Sequence, residues 1–537
     1  MEEKEENKGE EQKEVEEKIE EKKEKLQDWL KNPGNLALIA VLIFAFIIRL
    51  YYFSITKNQP LWWDESEYMA GAKGYAGIIN YKLSALRTPG LSILASLFFR
   101  LGITSEPVIR FLVAFIPAIL VLLLLYMCLK EMYPDRKIAL ISVAILSVLW
   151  EHLFYSNRFH TENLSLIFQF LAIFVLFRSY VKGKDFWFIK ARYALLLILV
   201  FSVISAVFRP GNIIFFPALV LFVLILNKSK IFNKTGIIIT IVVIVGAILS
   251  LIFIEIPSTG IFGYYHPENP LAWHSFNVLY GFYQSYVSWI PSLLFYAFLL
   301  GLILFFMRFY LLYPRFKKIS KTPQNLDFKS DIFNFLLLLC VMGFFIFIMR
   351  DRGFEYRWFF PFLTAFLAFT SKGVISFSKF VGGMINNKKV TTGLIILITV
   401  LGVYTQIIHA DQIIKMKVPS YQQVKDSGLW IKENSNKGDI IISASEPQHY
   451  YYTEGEVYGY YRLAGPENNE SAFDNNLTRV KPRYLIVSVF EPGFTPPWAY
   501  DWPQRHPELV TPVKSYFSDA AQTQPILVVY EFNQNAL

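Results

Sequence analysis

Residues 36–53 read Leu-Ala-Leu-Ile-Ala-Val-Leu-Ile-Phe-Ala-Phe-Ile-Ile-Arg-Leu-Tyr-Tyr-Phe, and the chain soon continues Leu61-Trp-Trp-Asp-Glu-Ser-Glu-Tyr68. The first stretch carries one charge and has about the length that a helix needs to cross a hydrocarbon core of roughly 30 Å. The second sets three carboxylates beside two indoles directly after it. The apolar theme repeats near 107–129, 137–155, 162–181, 192–208, 211–227, 236–256, 288–312, 332–349, 357–371 and 391–409. The predicted fold class is therefore a polytopic α-helical membrane protein with about 11 transmembrane helices and a polar C-terminal domain. Composition agrees: the 537 residues are 54% hydrophobic and 18% charged, against about 45–50% and 25% for soluble chains. A soluble enzyme, a disordered chain and a collagen-like fibre are excluded as readings.

The net charge of +9 lies mostly in short loops between the apolar runs, so no nucleic-acid partner is expected. The turns 130–137, 178–192, 227–235, 308–331 and 372–390 hold 21 Lys and Arg in 75 residues, whereas 54–106, 156–161, 209–210, 257–287 and 350–357 hold 10 in 100. Basic loops face the cytoplasm. The asymmetry predicts a multi-pass cell-membrane protein with a cytoplasmic N-terminus, an extracytoplasmic C-terminus and membrane lipids as surroundings. Leu91–Leu101 is too short to cross and is expected to lie in the interface. Residues 1–31, with 13 acids and 8 lysines, read as a charged cytoplasmic tail, and the first apolar run, which follows it and lacks a small-residue cleavage site, does not read as a removable signal peptide. Cys128 and Cys340 each sit inside an apolar run, which offers neither a disulfide framework nor a thiolate zinc site.

Three parts follow: the tail 1–31, a transmembrane domain 32–410 containing the external loop 54–106, and a domain 411–537. In the last, Tyr421–Glu433 reads as an amphipathic helix, and 439–443, 484–488 and 526–530 read as buried strands. Helix followed by short apolar strands predicts a small α/β domain. Tyr450–Tyr452 and Pro496–Trp498 read as aromatic loops. Asn469 and Asn476 begin glycosylation sequons, a three-residue pattern.

Chemistry is expected where long loops leave the membrane. On a helical reading Asp64, Glu67 and Tyr68 share a face, with Trp63 beside them to exclude water or stack on a sugar ring. A carboxylate so placed suits a general base; a plain interfacial belt of aromatics and acids is the alternative. Arg87, just before a helix start, suits a phosphate. Arg158, His160 and Glu162 fall at the entry to the fourth run. Glu151 and His152 lie one turn inside the third. Arg209, Arg352 and Arg357 reach the same side as Arg87. Arginines and acids converging at one leaflet suit an anionic, lipid-linked substrate.

Trp63-Asp64-Glu65-Ser-Glu-Tyr68 resembles the first external loop of the GT-C membrane glycosyltransferases, the branch of the protein O-mannosyltransferases and the lipid A aminoarabinose transferase. Arg87-Thr-Pro-Gly-Leu91 resembles that branch's basic-Pro-Pro-Leu element, Arg158-Phe-His-Thr-Glu162 its Arg-to-acid element, and Tyr356 to Pro361 a late Tyr–Pro element. The resemblance implies a sugar donor on a dolichyl-phosphate-like polyprenyl phosphate, and a protein, lipid or glycan acceptor outside the cytoplasm. It implies a carboxylate base in the first loop and inversion at the anomeric carbon. Asp64 maps to the base, and Glu65, Glu162 and Arg158 to supporting positions; Arg87 and Arg209 suit the phosphate. Trp63, Tyr68, His160, Arg352, Tyr356 and Arg357 complete the expected substrate surface. No cofactor is expected to be required, although Asp64, Glu65 and Glu162 offer oxygens that suit a divalent cation. A transporter or flippase for lipid-linked sugars is the competing reading. It would carry repeated halves and midplane charges.

Overall fold

The computed structural model describes residues 24, 27–84, 87–227, 293–312, 325–347, 356–518 and 521–537. The expected span 236–256, most of the leader, and Arg352 lie outside the described residues. Among the described residues, seven helical segments are long and apolar enough to cross a membrane: Pro33–Thr56, Glu106–Met132, Glu162–Val181, Ala191–Phe208, Leu293–Leu311, Tyr356–Met384 and the run that begins at Lys388.

The first helix, α1 (Pro33–Thr56), is capped by the Asn32 side chain, which accepts from Gly34 N, with Pro33 in the first turn. Such a cap satisfies an amide that the helix cannot. Then come α2 (Trp63–Tyr75), α3 (Gly90–Arg100) and α4 (Glu106–Met132). The expected interfacial segment 91–101 is α3, a helix of 11 residues.

The expected span 137–155 is broken. It forms α5 (Arg136–Val148) and α6 (Trp150–Tyr155), with Leu149 at φ −51° and ψ 118° between them. The break leaves two carbonyls of α5 without helical donors, and Trp150 N turns instead to Gln406 Oε1 at 3.3 Å. Arg49 of α1, fully buried, fills the gap. It donates to the carbonyls of Ser147 and Leu146 and to His152 Nδ1 at 2.9 Å. Unmet buried acceptors cost about 1–3 kcal/mol each. Arg49→Leu is therefore expected to destabilise the protein by about 3 kcal/mol, seen as earlier thermal unfolding in detergent. An unchanged transition would show that the break holds itself.

The bundle continues with α7 (Glu162–Val181), α8 (Ala194–Phe208), α9 (Phe215–Leu226), α10 (Leu293–Leu312), α11 (Leu326–Phe347), α12 (Leu363–Met384) and α13 (Lys388–Lys417). Run 211–227 opens with a 3-10 turn at Pro210–Ile214, so only α9 is α-helical there. Helix α13 has 30 residues and extends beyond the expected end at 409. Near the far end of α4, Lys372 Nζ pairs with Asp331 Oδ1 at 2.6 Å and Asp327 Oδ1 at 2.9 Å. Tyr133 donates to the same Asp331 oxygen at 3.0 Å, joining α11 and α12 to the chain after α4.

The C-terminal part is an α/β domain. Its five-stranded sheet runs β2–β1–β3–β5–β4, with β1 Ile440–Ser443, β2 Glu456–Tyr458, β3 Tyr484–Ser488, β4 Val510–Phe517 and β5 Pro525–Phe532. Strands β2, β1 and β3 are parallel; β5 lies antiparallel to β3 and β4 to β5. The three expected strands are β1, β3 and β5, and the expected helix is α14 (Gln422–Asn434). In α14, Val424 and Ile431 are buried whereas Leu429 is exposed.

Tyr450–Tyr452 is a helix rather than a loop: α15 spans Glu446–Thr453, with Pro447 in its first turn. All three tyrosines are buried and fasten the domain to the first loop. Tyr452 Oη accepts from Leu61 N at 2.8 Å, and Tyr450 Oη donates to Asn80 O at 2.7 Å. Lys73 of α2 lies 4.1 Å from the Tyr451 ring centre and pairs with Glu454 at 2.6 Å.

Candidate active site

Helix α2 decides where the acids point. Trp62 N donates to Glu65 Oε2 at 2.9 Å, so Glu65 closes the helix start, where carboxylates are favoured by the free amides and the dipole. Glu65 is fully buried. It also accepts from Phe159 N at 2.8 Å and forms an ion pair with Arg158. The Arg158 guanidinium lies 3.4 Å from the centre of the Trp62 ring. Burial alone would raise the Glu65 carboxyl; Arg158 and Arg110 outweigh it and hold the group below its ordinary range.

Successive helical residues are about 100° apart, so Asp64 faces elsewhere. On its face, Arg87 donates through Nη2 to Asp64 Oδ1 and through Nε to Glu67 Oε2, the latter at 2.7 Å. Arg357 Nη2 donates to the other oxygen of Asp64 at 2.8 Å. The Nη1 of Arg357 lies 3.0 Å from His160 Nδ1 and 3.5 Å from Glu162 Oε1. Glu162, at the start of α7, pairs with Arg209 at 2.8 Å. The chain thus brings together Asp64, Glu67, Arg87, His160, Glu162, Arg209 and Arg357, from five separate stretches of sequence.

Backbone contacts set this convergence. Thr88 Oγ1 donates to Phe208 O at 2.8 Å, and a Cβ on Gly90 would meet Val207 O at 2.9 Å. The start of α3 therefore packs against the end of α8, which brings Arg87 beside Arg209. Glu151 Oε1 accepts from Arg357 N at 3.1 Å. Asp64 and Arg87 are the most open members, with side chains 22% and 26% exposed against 4% for Glu162, so the cluster opens at that pair.

Among the described residues, three carboxylates face three guanidiniums here. Burial would raise the Asp64 carboxyl, but Arg357 and Arg87 hold it below the usual range. Burial, reinforced by Arg357 and Arg158, pushes the His160 imidazole well below its ordinary value. It is neutral at pH 7 and can accept from Arg357. Burial pushes the Tyr68 hydroxyl up to about 12; its ring centre lies 5.9 Å from the Arg87 guanidinium. Trp63 stacks on Phe494 of the C-terminal domain, with ring centres 4.6 Å apart. Tyr356 packs edge-on against Trp150 at 5.3 Å.

Of the residues expected at the site, Glu65 and Arg158 form a separate buried pair behind it. Glu67, named by the sequence only as sharing the face, is a full member. Asp64 holds Arg87 and Arg357, Glu65 holds Arg158 and Glu162 Oε1 holds Arg209, so the three acids are engaged by different guanidiniums. Among the described residues, the carboxylates and histidine close enough to share a cation are Glu470, Asp474 and His506, in the C-terminal domain.

No protein-family model matches the chain, and no characterised protein matches it by sequence. Solved structures do. ArnT from Cupriavidus metallidurans in the apo state aligns at TM-score 0.55 and 9% identity, over 92% of this chain and 97% of that one. The same protein bound to undecaprenyl phosphate aligns at TM-score 0.52 and 10% identity with the same coverage. The fold is therefore that of ArnT. A looser likeness, TM-score 0.48 at 13% identity over 86% of this chain and 70% of that one, joins it to the oligosaccharyltransferase of Archaeoglobus fulgidus. In this chain the likeness spans the apolar helices together with the C-terminal sheet domain seated on the first loop.

Proposed function

We propose that this protein is a membrane glycosyltransferase that moves a sugar from a polyprenyl-phosphate donor to a protein, lipid or glycan acceptor on the extracytoplasmic side. The observation that carries the reading is the interleaving of Asp64, Glu67 and Glu162 with Arg87, Arg209 and Arg357 at one end of the bundle. A guanidinium cluster recognises phosphate oxygens, and a carboxylate within it takes a proton.

In this reading the acceptor N–H or O–H gives its proton to Asp64. The acceptor lone pair attacks the anomeric carbon from the face opposite the phosphate. The bond from anomeric carbon to phosphate oxygen breaks with inversion, and its electron pair leaves on the prenyl phosphate. Charge grows on that phosphate as the bond opens, and Arg87 and Arg209, together with Arg357, lie where they can meet it, where electrostatic stabilisation counts most. Trp63 and Tyr68 exclude water from the acceptor side. Glu65 and Arg158 fix the start of α2, and thereby Asp64, as positioning residues. The ArnT fold bound to undecaprenyl phosphate supports a prenyl-phosphate donor, and the basic turns support the orientation.

Because guanidiniums supply the charge, no metal is required. Treatment with a chelator is expected to leave transfer unchanged; loss of turnover restored by a divalent cation would contradict this. The reading as a whole is tested by incubating membranes that contain the protein with a panel of labelled polyprenyl-phosphate sugars and identifying the labelled product. Label in an acceptor, dependent on the protein, is expected. Label that remains on the lipid with every donor and acceptor fraction would overturn it.

A further inference from the structure

We infer that Asp64 is locked in the donor-free enzyme, and that the donor's phosphate unlocks it by taking over the guanidiniums of Arg87 and Arg357. The inference rests on the reading of the cluster as a donor site and adds an order of events to it.

Both oxygens of Asp64 are occupied, Oδ1 by Arg87 Nη2 and Oδ2 by Arg357 Nη2 at 2.8 Å. A carboxylate held by two guanidiniums has little tendency to accept a further proton, so an acceptor arriving first meets a weak base. Among the described residues, each of the cluster's three arginines already holds at least one of its three acids. A phosphate therefore gains access to those arginines by displacing a carboxylate rather than by filling a vacant positive site. Asp64 is the member placed to yield, being more open than Glu67 or Glu162.

Arg87 is built to make the exchange. Its Nε is held by Glu67 at 2.7 Å while its Nη2 holds Asp64. The guanidinium can pass Nη2 from Asp64 to a phosphate oxygen while Glu67 keeps it in place. Arg357 likewise retains Glu162 and His160 when it releases Asp64. Neither arginine is left without a partner, so loss of the Asp64 charge does not strand a buried cation. Glu67 thereby acquires a role different from that of Asp64, although both acids contact the same arginine. The base becomes competent only when the donor is seated, which protects the sequence donor first, acceptor second.

The test uses the full chain in lipid nanodiscs, with free undecaprenyl phosphate as probe and undecaprenol as the control that lacks the anion. Wild type, Asp64→Asn, Asp64→Ala, Glu67→Gln and Arg87→Ala are compared for binding, with thermal unfolding as a check on folding. Both Asp64 variants are expected to bind the phosphate at least tenfold more tightly than wild type. Glu67→Gln is expected to bind no more tightly than wild type, and Arg87→Ala at least tenfold more weakly. If the Asp64 variants bind equally or more weakly while Arg87→Ala is impaired, the lock is wrong and the donor site stands. If Glu67→Gln tightens binding as much as Asp64→Asn, the effect is general charge removal and the lock is again wrong. If undecaprenol binds as well as its phosphate and no variant matters, the donor reading fails as well.

Discussion

Asp64→Asn is expected to lower transfer by about 10²–10⁴-fold, the usual contribution of a positioned proton acceptor. The substitution keeps the size and much of the hydrogen-bonding capacity of the side chain but removes the charge that takes the acceptor proton. Arg87 retains Glu67, and Arg357 retains Glu162, so the fold and its unfolding temperature are expected to persist. Initial rates under saturating donor and acceptor measure the effect. Turnover within a few-fold of wild type would remove Asp64 from the chemistry, whatever the binding behaviour of the variant.

The second large effect concerns stability. Glu65 is fully buried, and Arg158 almost so. Glu65 also accepts from two backbone amides, those of Trp62 and Phe159. Removing one partner of such a pair leaves the other charge buried and uncompensated, at a cost of about 3–5 kcal/mol. Glu65→Gln is expected to lose that much, seen as a large drop in unfolding temperature and yield in detergent. The double substitution Glu65→Met with Arg158→Met is expected to recover part of the loss, because neither charge is then stranded. A single variant as stable as wild type would mean that the pair does not hold the start of α2.

Adjacent residues in one motif thus carry different duties, and this was not legible in the sequence. Asp64 and Glu65 are neighbours of like charge, and only the helix turns one toward the arginines and the other toward Arg158. What the sequence does carry is chemistry and rhythm. The apolar runs, the acids after the first of them, Arg87 ahead of a short amphipathic helix, and the strand at 484–488 all read directly from residue type and period. The break at Leu149 has no such mark, because Ile145 to Leu153 contains neither glycine nor proline. It is stabilised by Arg49, distant in sequence, which reads only as an isolated charge in an apolar run. Helix α15 was hidden because its buried face is made of tyrosines that meet α2 rather than of aliphatics at helical spacing. Strand β2 spans three residues and β4 is largely exposed, so neither shows the buried run that marks β1 and β3.

In the proposed reaction a covalent bond to a lipid phosphate is broken at Asp64 and its arginines. The direct measurement is the fate of the lipid: purified protein, a doubly labelled polyprenyl-phosphate sugar and an acceptor fraction, with free prenyl phosphate and glycosylated acceptor quantified together. The two are expected in equal amounts, and both are expected to vanish in Asp64→Asn. Intact donor carried across a proteoliposome bilayer, with no free prenyl phosphate formed, would contradict it and identify a transporter instead.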